Sequence, residues 1–165
     1  MTTTEPVTAS YQILKRPAVI WDVDGTLADT ADIVHHVAAS HPRHTGMNYP
    51  AFHEAARTIP ARKGMPETAR CWNASGILNI IVTARSAEYR HYLIDWLDDK
   101  AIPAALIRMR AIGDYRPDVD VKRDHVRVLT RTFKLVHAYD DNPHIVAMLR
   151  EEFAIETTHI PGWTP

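Results

Sequence analysis

Four short clusters in this chain carry side chains that can do chemistry together: Asp22-Val23-Asp24-Gly25, Thr83-Ala84-Arg85, Asp118 with Lys122, and Asp140-Asp141. Carboxylates crowded into a site of low dielectric repel one another and raise each other's pKa values. A hard divalent cation resolves that repulsion, and an all-oxygen site with few protein ligands favours Mg²⁺. A lysine and an arginine beside such a metal suit an anionic ligand, above all phosphate.

These clusters can meet only if the elements between them place them on one rim. Ala18-Val19-Ile20-Trp21 is an apolar, partly β-branched run that breaks at Asp22, as a buried strand breaks into a turn. Ile77 to Val82 is a second run, ending at Thr83, with Ser86 placed to cap a helix whose inner face holds Tyr89, Leu93, Trp96 and Leu97. Ala104 to Met109 reads as a third strand, and Asp118 to about Arg131 as a helix with Val121, Val128 and Leu129 inward. Leu135 to Tyr139 is a fourth strand, followed by Asn142-Pro143 as N-cap and first residue of a helix; Ile155 to Ile160 is a candidate last strand. Strands alternating with helices predict an α/β fold, a Rossmann-like parallel sheet with helices on both faces. In such a sheet ligands bind beyond the carboxyl ends of the strands, where Asp22/Asp24, Thr83/Arg85 and Asp140/Asp141 all fall. Residues 29–73 are too long for a bare loop and show patchy helical patterns, so a small helical cap inserted after the first strand is expected there. The resulting division is a flexible leader or edge strand at 1–16, a core at 17–160 and a tail at 161–165.

Composition narrows the class. At 165 residues, 45% hydrophobic and 24% charged, the chain has material for one core and is not of disordered type. No apolar run is long enough to span a bilayer, and the first ten residues lack an apolar signal core, so no membrane partner and a cytoplasmic location are expected. A formal net charge of −1 excludes a polycation built to coat nucleic acid. One cysteine, Cys71, permits neither an internal disulfide nor a cysteine-based zinc site.

Asp22-Val23-Asp24-Gly25-Thr26-Leu27 after an apolar strand resembles the first motif of the haloacid dehalogenase superfamily, Val82-Thr83 its second, Lys122 its third and Asp140-Asp141 its fourth. Order and spacing agree over roughly residues 17–160. The resemblance implies a phosphatase in which Asp22 attacks phosphorus and forms an aspartyl-phosphate. It makes Asp24 the acid for the leaving oxygen and the base for the hydrolytic water. Thr83 and Lys122 then hold the phosphoryl oxygens, and Asp140, Asp141, Asp22 and the Asp24 carbonyl place a Mg²⁺. More narrowly, Ile81-Val82-Thr83-Ala84-Arg85 and Gly113 to Lys122 resemble the phosphatase domain of phage-type polynucleotide kinase-phosphatases. That resemblance adds Arg85 and the Asp118/Lys122 pair to the substrate-binding set, with Asp118 steering the ammonium, and Arg43 as a cap arginine on the phosphate. The departure is Ala84 where the family has glycine.

The substrate so implied is a nucleic-acid 3′-phosphate end or a nucleoside 3′-phosphate. A 5′- or 3′-deoxynucleotide monophosphatase is the alternative within enzymes, and a phosphate-end binding module without turnover the alternative outside them. The sequence has no GxxxxGK[ST] motif, so a kinase or ligase acting with it is expected to be a separate chain. Each feature also has a plainer reading: Asp140 to Pro143 as a capped helix start, Arg116 as a loop salt bridge, Cys71 as a small buried apolar residue. His35, His36, His41, His44 and His53 fall in the insertion at spacings matching no zinc pattern, and read as polar cap surface or substrate contacts. Residues 108–134 hold eight Lys/Arg against four Asp, either a local positive field for a polyanion or a solvated helix face.

Overall fold

The computed structural model describes residues 14–37 and 47–162. Five strands form one sheet: β1 (Arg16–Trp21), β2 (Leu78–Ser86), β3 (Leu106–Arg110), β4 (Phe133–Asp140) and β5 (Thr157–His159), in the order β3-β2-β1-β4-β5 with every pair parallel. Alternation along the inner strands divides the core. Val19, Trp21 and Ile81 face one side, where Phe52, Leu93, Trp96 and Leu97 pack; Ala18, Ile20, Ile80 and Val82 face the other, against Val126, Leu129, Ile145 and Leu149. Helices α1 (Tyr49–Ala55), α2 (Met65–Ala74) and α3 (Arg90–Asp99) contribute to the first layer, and α4 (Asp118–Thr132) and α5 (Pro143–Phe153) to the second. This is the expected α/β Rossmann-like architecture.

The chain runs from β1 outward through β2 to β3, then returns to β4 on the other side of β1. That reversal opens a crevice at the carboxyl ends of β1 and β4, where Asp22 and Asp140 lie. The sheet interior holds one polar relay. Trp21 Nε1 donates to Asn79 Oδ1 at 2.8 Å, and Asn79 Nδ2 donates to the Ala69 carbonyl at 2.8 Å. A buried amide in mid-strand thereby has partners and ties α2 to the sheet.

Details differ from the sequence expectation. β2 continues past Val82 to Ser86, and the Ser86 side chain makes no capping bond; a short 3₁₀ turn, Ala87–Tyr89, intervenes before α3. Val128 is exposed and Val126 takes the inward position on α4. Cys71 is exposed on α2. The segment after β1 is pinched shut near its base: Ala28 bridges Ala61, Asp29 N donates to the Pro60 carbonyl and Arg62 N to the Leu27 carbonyl. The described residues 29–37 and 47–60 lie inside that pinch, whereas α2 lies beyond it and packs on β2.

Candidate active site

Asp22 closes β1 and is buried. Lys122, from the first turns of α4, reaches the same point: Nζ donates to Asp22 Oδ1 and to Asp140 Oδ2, both at 2.7 Å. Asp140 Oδ1 accepts from the Asn142 backbone N–H at 3.0 Å, and Asn142 caps α5 by accepting from His144 N at 3.0 Å, so the helix start also fixes the carboxylate. Oxygens of Asp22, Asp140 and Asp141 lie within 4.8 Å of one another, and all three residues are buried. Gly25 makes that crowding possible. It sits at φ +78°, and a Cβ there would lie 2.0 Å from Asp141 Oδ2.

Electrostatics reflects one ammonium serving several carboxylates. Burial pushes Asp22 well above the usual carboxylate range; Lys122 opposes it, while Asp140, Asp141 and Asp24 push further up. Asp141 is raised to about 7, by burial first and then by the Asp140 charge. Burial alone would lower Lys122, but Asp140 and Asp22 outweigh it and keep the ammonium protonated. An oxygen-only, charge-excess cluster of this kind fits a hard dication, Mg²⁺ among them, with Asp22, Asp140 and Asp141 as side-chain ligands.

Asp24 is held differently. Arg85 Nε donates to its Oδ2 at 2.9 Å and a terminal nitrogen to its Oδ1 at 2.6 Å, a bidentate pair reaching from β2. Burial would raise Asp24, but the Arg85 charge and hydrogen bonds more than offset it, and the carboxyl lies below its usual range. Thr83, three residues before the end of β2, is buried and its Oγ1 accepts from Arg85 N at 3.2 Å. Asp118 does not steer Lys122. It pairs with Arg110, because the lysine is drawn inward to two buried carboxylates, which an exposed one at the helix start cannot match. Arg43, along with His41 and His44, lies outside the described residues.

Asp22, Asp24, Thr83, Arg85, Asp118, Lys122 and Asp141 all line one pocket of about 790 Å³. Its walls are the insertion, through Val34, Tyr49, Phe52 and His53, and the β3–α4 loop from Ile112 to Pro117. His53 is more than a surface histidine. It is buried, stacks on Tyr89 at 4.0 Å between ring centroids, and its Nδ1 has no hydrogen-bond partner among the described residues. Arg110, at the end of β3, also lines the pocket. Its guanidinium ties the Ala84 carbonyl, at 2.9 Å, to the loop carbonyls of Asp114 and Arg116, at 3.0 and 2.7 Å. Its position at a strand's carboxyl end, like Asp22 and Asp140, is the feature of the sequence that marks it.

A parallel sheet with an aspartate at the end of β1, a hydroxyl on β2, a lysine on α4 and an acidic pair at the end of β4 defines a phosphatase of the haloacid dehalogenase type. Within that class, residues 16–161 match the model of the polynucleotide kinase PNKP phosphatase domain, and the chain belongs to that family. None of the curated proteins matches the sequence. Among solved structures, a chain of the Pnkp1/Rnl/Hen1 RNA repair complex superposes with a TM-score of 0.75 at 21% identity, over 95% of this chain and 47% of that one. A second structure of the Pnkp1/Rnl/Hen1 complex gives 0.75 at 22% identity, over 98% and 51%. The class C acid phosphatase from Bacillus anthracis gives 0.69 at 17% identity, over 89% and 66%. The chain thus spans about half the length of the repair-complex chains it resembles. No helix among the described residues is long and apolar enough to cross a membrane.

Proposed function

We propose that this phosphatase is Mg²⁺-dependent, works through an aspartyl-phosphate on Asp22, and removes the 3′-phosphate from nucleic-acid ends. The observation that carries the reading is the state of Asp22. Lys122 engages one of its oxygens, and the other accepts no hydrogen bond from the described residues while the residue lines the pocket. That second oxygen attacks phosphorus, the P–O3′ bond breaks, and the departing oxygen takes its proton from Asp24. Water, giving a proton to Asp24, then attacks the phosphorus of the aspartyl-phosphate and releases phosphate and Asp22. Thr83 and Lys122 hold the phosphoryl oxygens. Asp22, Asp140 and Asp141 would hold the Mg²⁺, which when bound would supply neutralisation of the charge on the phosphoryl group and the carboxylates.

Arg85 gives Asp24 its position rather than its proton. In the free protein it keeps Asp24 ionised. A dianionic phosphoryl group entering beside Asp24 adds negative charge and favours its protonation, so the acid is made by the substrate it serves. A strand end is preferred over an enclosed metabolite because the pocket rim is exposed, with Tyr115 96% accessible. The RNA repair complex among the fold relatives supports nucleic-acid ends as the substrate class and work alongside partner enzymes. The test is a panel of 3′-phosphorylated oligonucleotides, mononucleotides and an aryl phosphate with Mg²⁺. The oligonucleotides should give the highest kcat/KM, EDTA should abolish turnover, and Asp22→Asn should lose at least about 10⁴-fold, in line with loss of a covalent nucleophile. Preference for free 5′-monophosphates, or activity retained in Asp22→Asn, refutes the reading.

A further inference from the structure

The β3–α4 loop presents two large apolar side chains to solvent at the pocket margin: Ile112, 72% exposed, and Tyr115, 96% exposed. A slack loop could fold such groups away. This one is fixed. Arg110 grips the Asp114 and Arg116 carbonyls, Asp114 N donates to the Ala111 carbonyl at 3.1 Å, and Asp114 Oδ1 accepts from Arg116 N at 3.1 Å. The same arginine donates to the Ala84 carbonyl, beside Thr83. Tyr115 therefore stands on a brace attached to the strand end that carries the phosphate-holding hydroxyl.

The loop's charges are spent inside the protein. Arg110 pairs with Asp118, and Arg116 with Asp114 and Asp124. What remains for a ligand is the face of a ring with an aliphatic neighbour, on the lip of a pocket built for a phosphoryl group. A ligand that joins a phosphoryl group to a planar aromatic surface matches both parts. We infer that Tyr115, with Ile112 beside it, is a stacking platform for one of the last two nucleobases of the phosphorylated strand. The inference rests on the nucleic-acid reading above and deepens it. Stacking accepts any base, so the platform recognises a single-stranded end without reading its sequence.

The test crosses enzyme variants with substrates in which the ultimate or the penultimate 3′ nucleotide is abasic, using an aryl phosphate as reference. Tyr115→Ala should lower the ratio of oligonucleotide to aryl-phosphate kcat/KM about tenfold, within the range for one base on an aromatic face. Tyr115→Trp should restore it. For the wild type, removing one of the two bases should cost a similar factor; for Tyr115→Ala the same removal should cost nothing more, the mark of a lost pairwise contact. A ratio unchanged in Tyr115→Ala, with the wild type still preferring oligonucleotides, overturns the platform alone and leaves the patch to a protein partner. A wild type that does not prefer oligonucleotides overturns the substrate reading and the platform together.

Discussion

At the scale of single residues, the site contrasts two arginine–carboxylate and lysine–carboxylate solutions. Lys122 is shared between Asp22 and Asp140, whereas Arg85 is committed to Asp24 by a bidentate pair. If Arg85 acts by positioning the acid, Arg85→Gln should reduce turnover of an alkyl phosphate about 100-fold, the scale of lost proton transfer, and that of an aryl phosphate much less. Equal losses on the two substrates would instead assign Arg85 to the phosphoryl oxygens. His53 offers a pH test. Burial lowers it to about 4, with Arg85 lowering it further and Asp24 and Glu88 opposing. Its neutral form is the one the fold holds, so its contribution is complete above the ordinary histidine value of 6.5 and is lost as pH falls from there toward 4. His53→Phe keeps a ring against Tyr89 and should flatten the decline of Tm over that range; a slope matching the wild type would show that His53 does not drive it. None of this was legible in the sequence beyond the residue types. Asp22, Asp24, Thr83, Arg85 and Lys122 could be listed from motifs, but that Arg85 faces Asp24 depends on geometry across two strand ends, and His53 stood among histidines with nothing to distinguish it.

At the scale of elements, legibility followed how strongly local pattern dictates structure. β1 and β4 are apolar runs stopped by aspartates, and Asn142-Pro143 starts α5 as its residue types require. The sequence does not separate α2 from the insertion because its apolar signal is thin: only Ala69 is fully buried, and the helix is fastened through its Ala69 carbonyl to Asn79. Gly64 and Pro66 at its start were the available cue. β2 overran its apolar stretch because Thr83 to Ser86 continue pairing across a register shift with β3, which hydropathy does not encode. The turn after β1 carries the sharpest element-level prediction. Gly25→Ala places a methyl 2.0 Å from Asp141 Oδ2 at a left-handed φ, so either the turn or the carboxylate must move. The Mg²⁺ concentration for half-maximal activity should rise about tenfold or more, as when a ligand's support is removed, with a lower Tm. An unchanged Mg²⁺ dependence would remove Asp141 from the metal set.

At the scale of the whole molecule, the distribution of charge decides how the protein can meet a polyanion. The excess of Lys/Arg over Asp in residues 108–134 suggests a positive field in the sequence, but folding pairs Arg110, Arg116, Arg123 and Arg127 with Asp118, Asp114, Asp124, Asp120 and Glu152, and sends Lys122 into the site. Four of those acids belong to the stretch itself and one, Glu152, comes from α5; what a linear count cannot show is that the arginine side chains are engaged by these carboxylates and that Lys122 is buried. With a net charge of −1 the chain as a whole carries no excess of positive charge. An oligonucleotide bound by its terminal phosphate and by stacking should displace few counterions. Using Asp22→Asn to prevent turnover, the logarithm of the association constant for a 3′-phosphorylated single strand should fall with log salt at a slope no steeper than about −1.4, two phosphates at about −0.7 each. Lengthening the strand beyond a few nucleotides should leave that slope unchanged. A slope of about −3 or steeper, growing with length, would mean that the strand tracks a basic surface, and that the arginines exchange their carboxylate partners for phosphates when it binds.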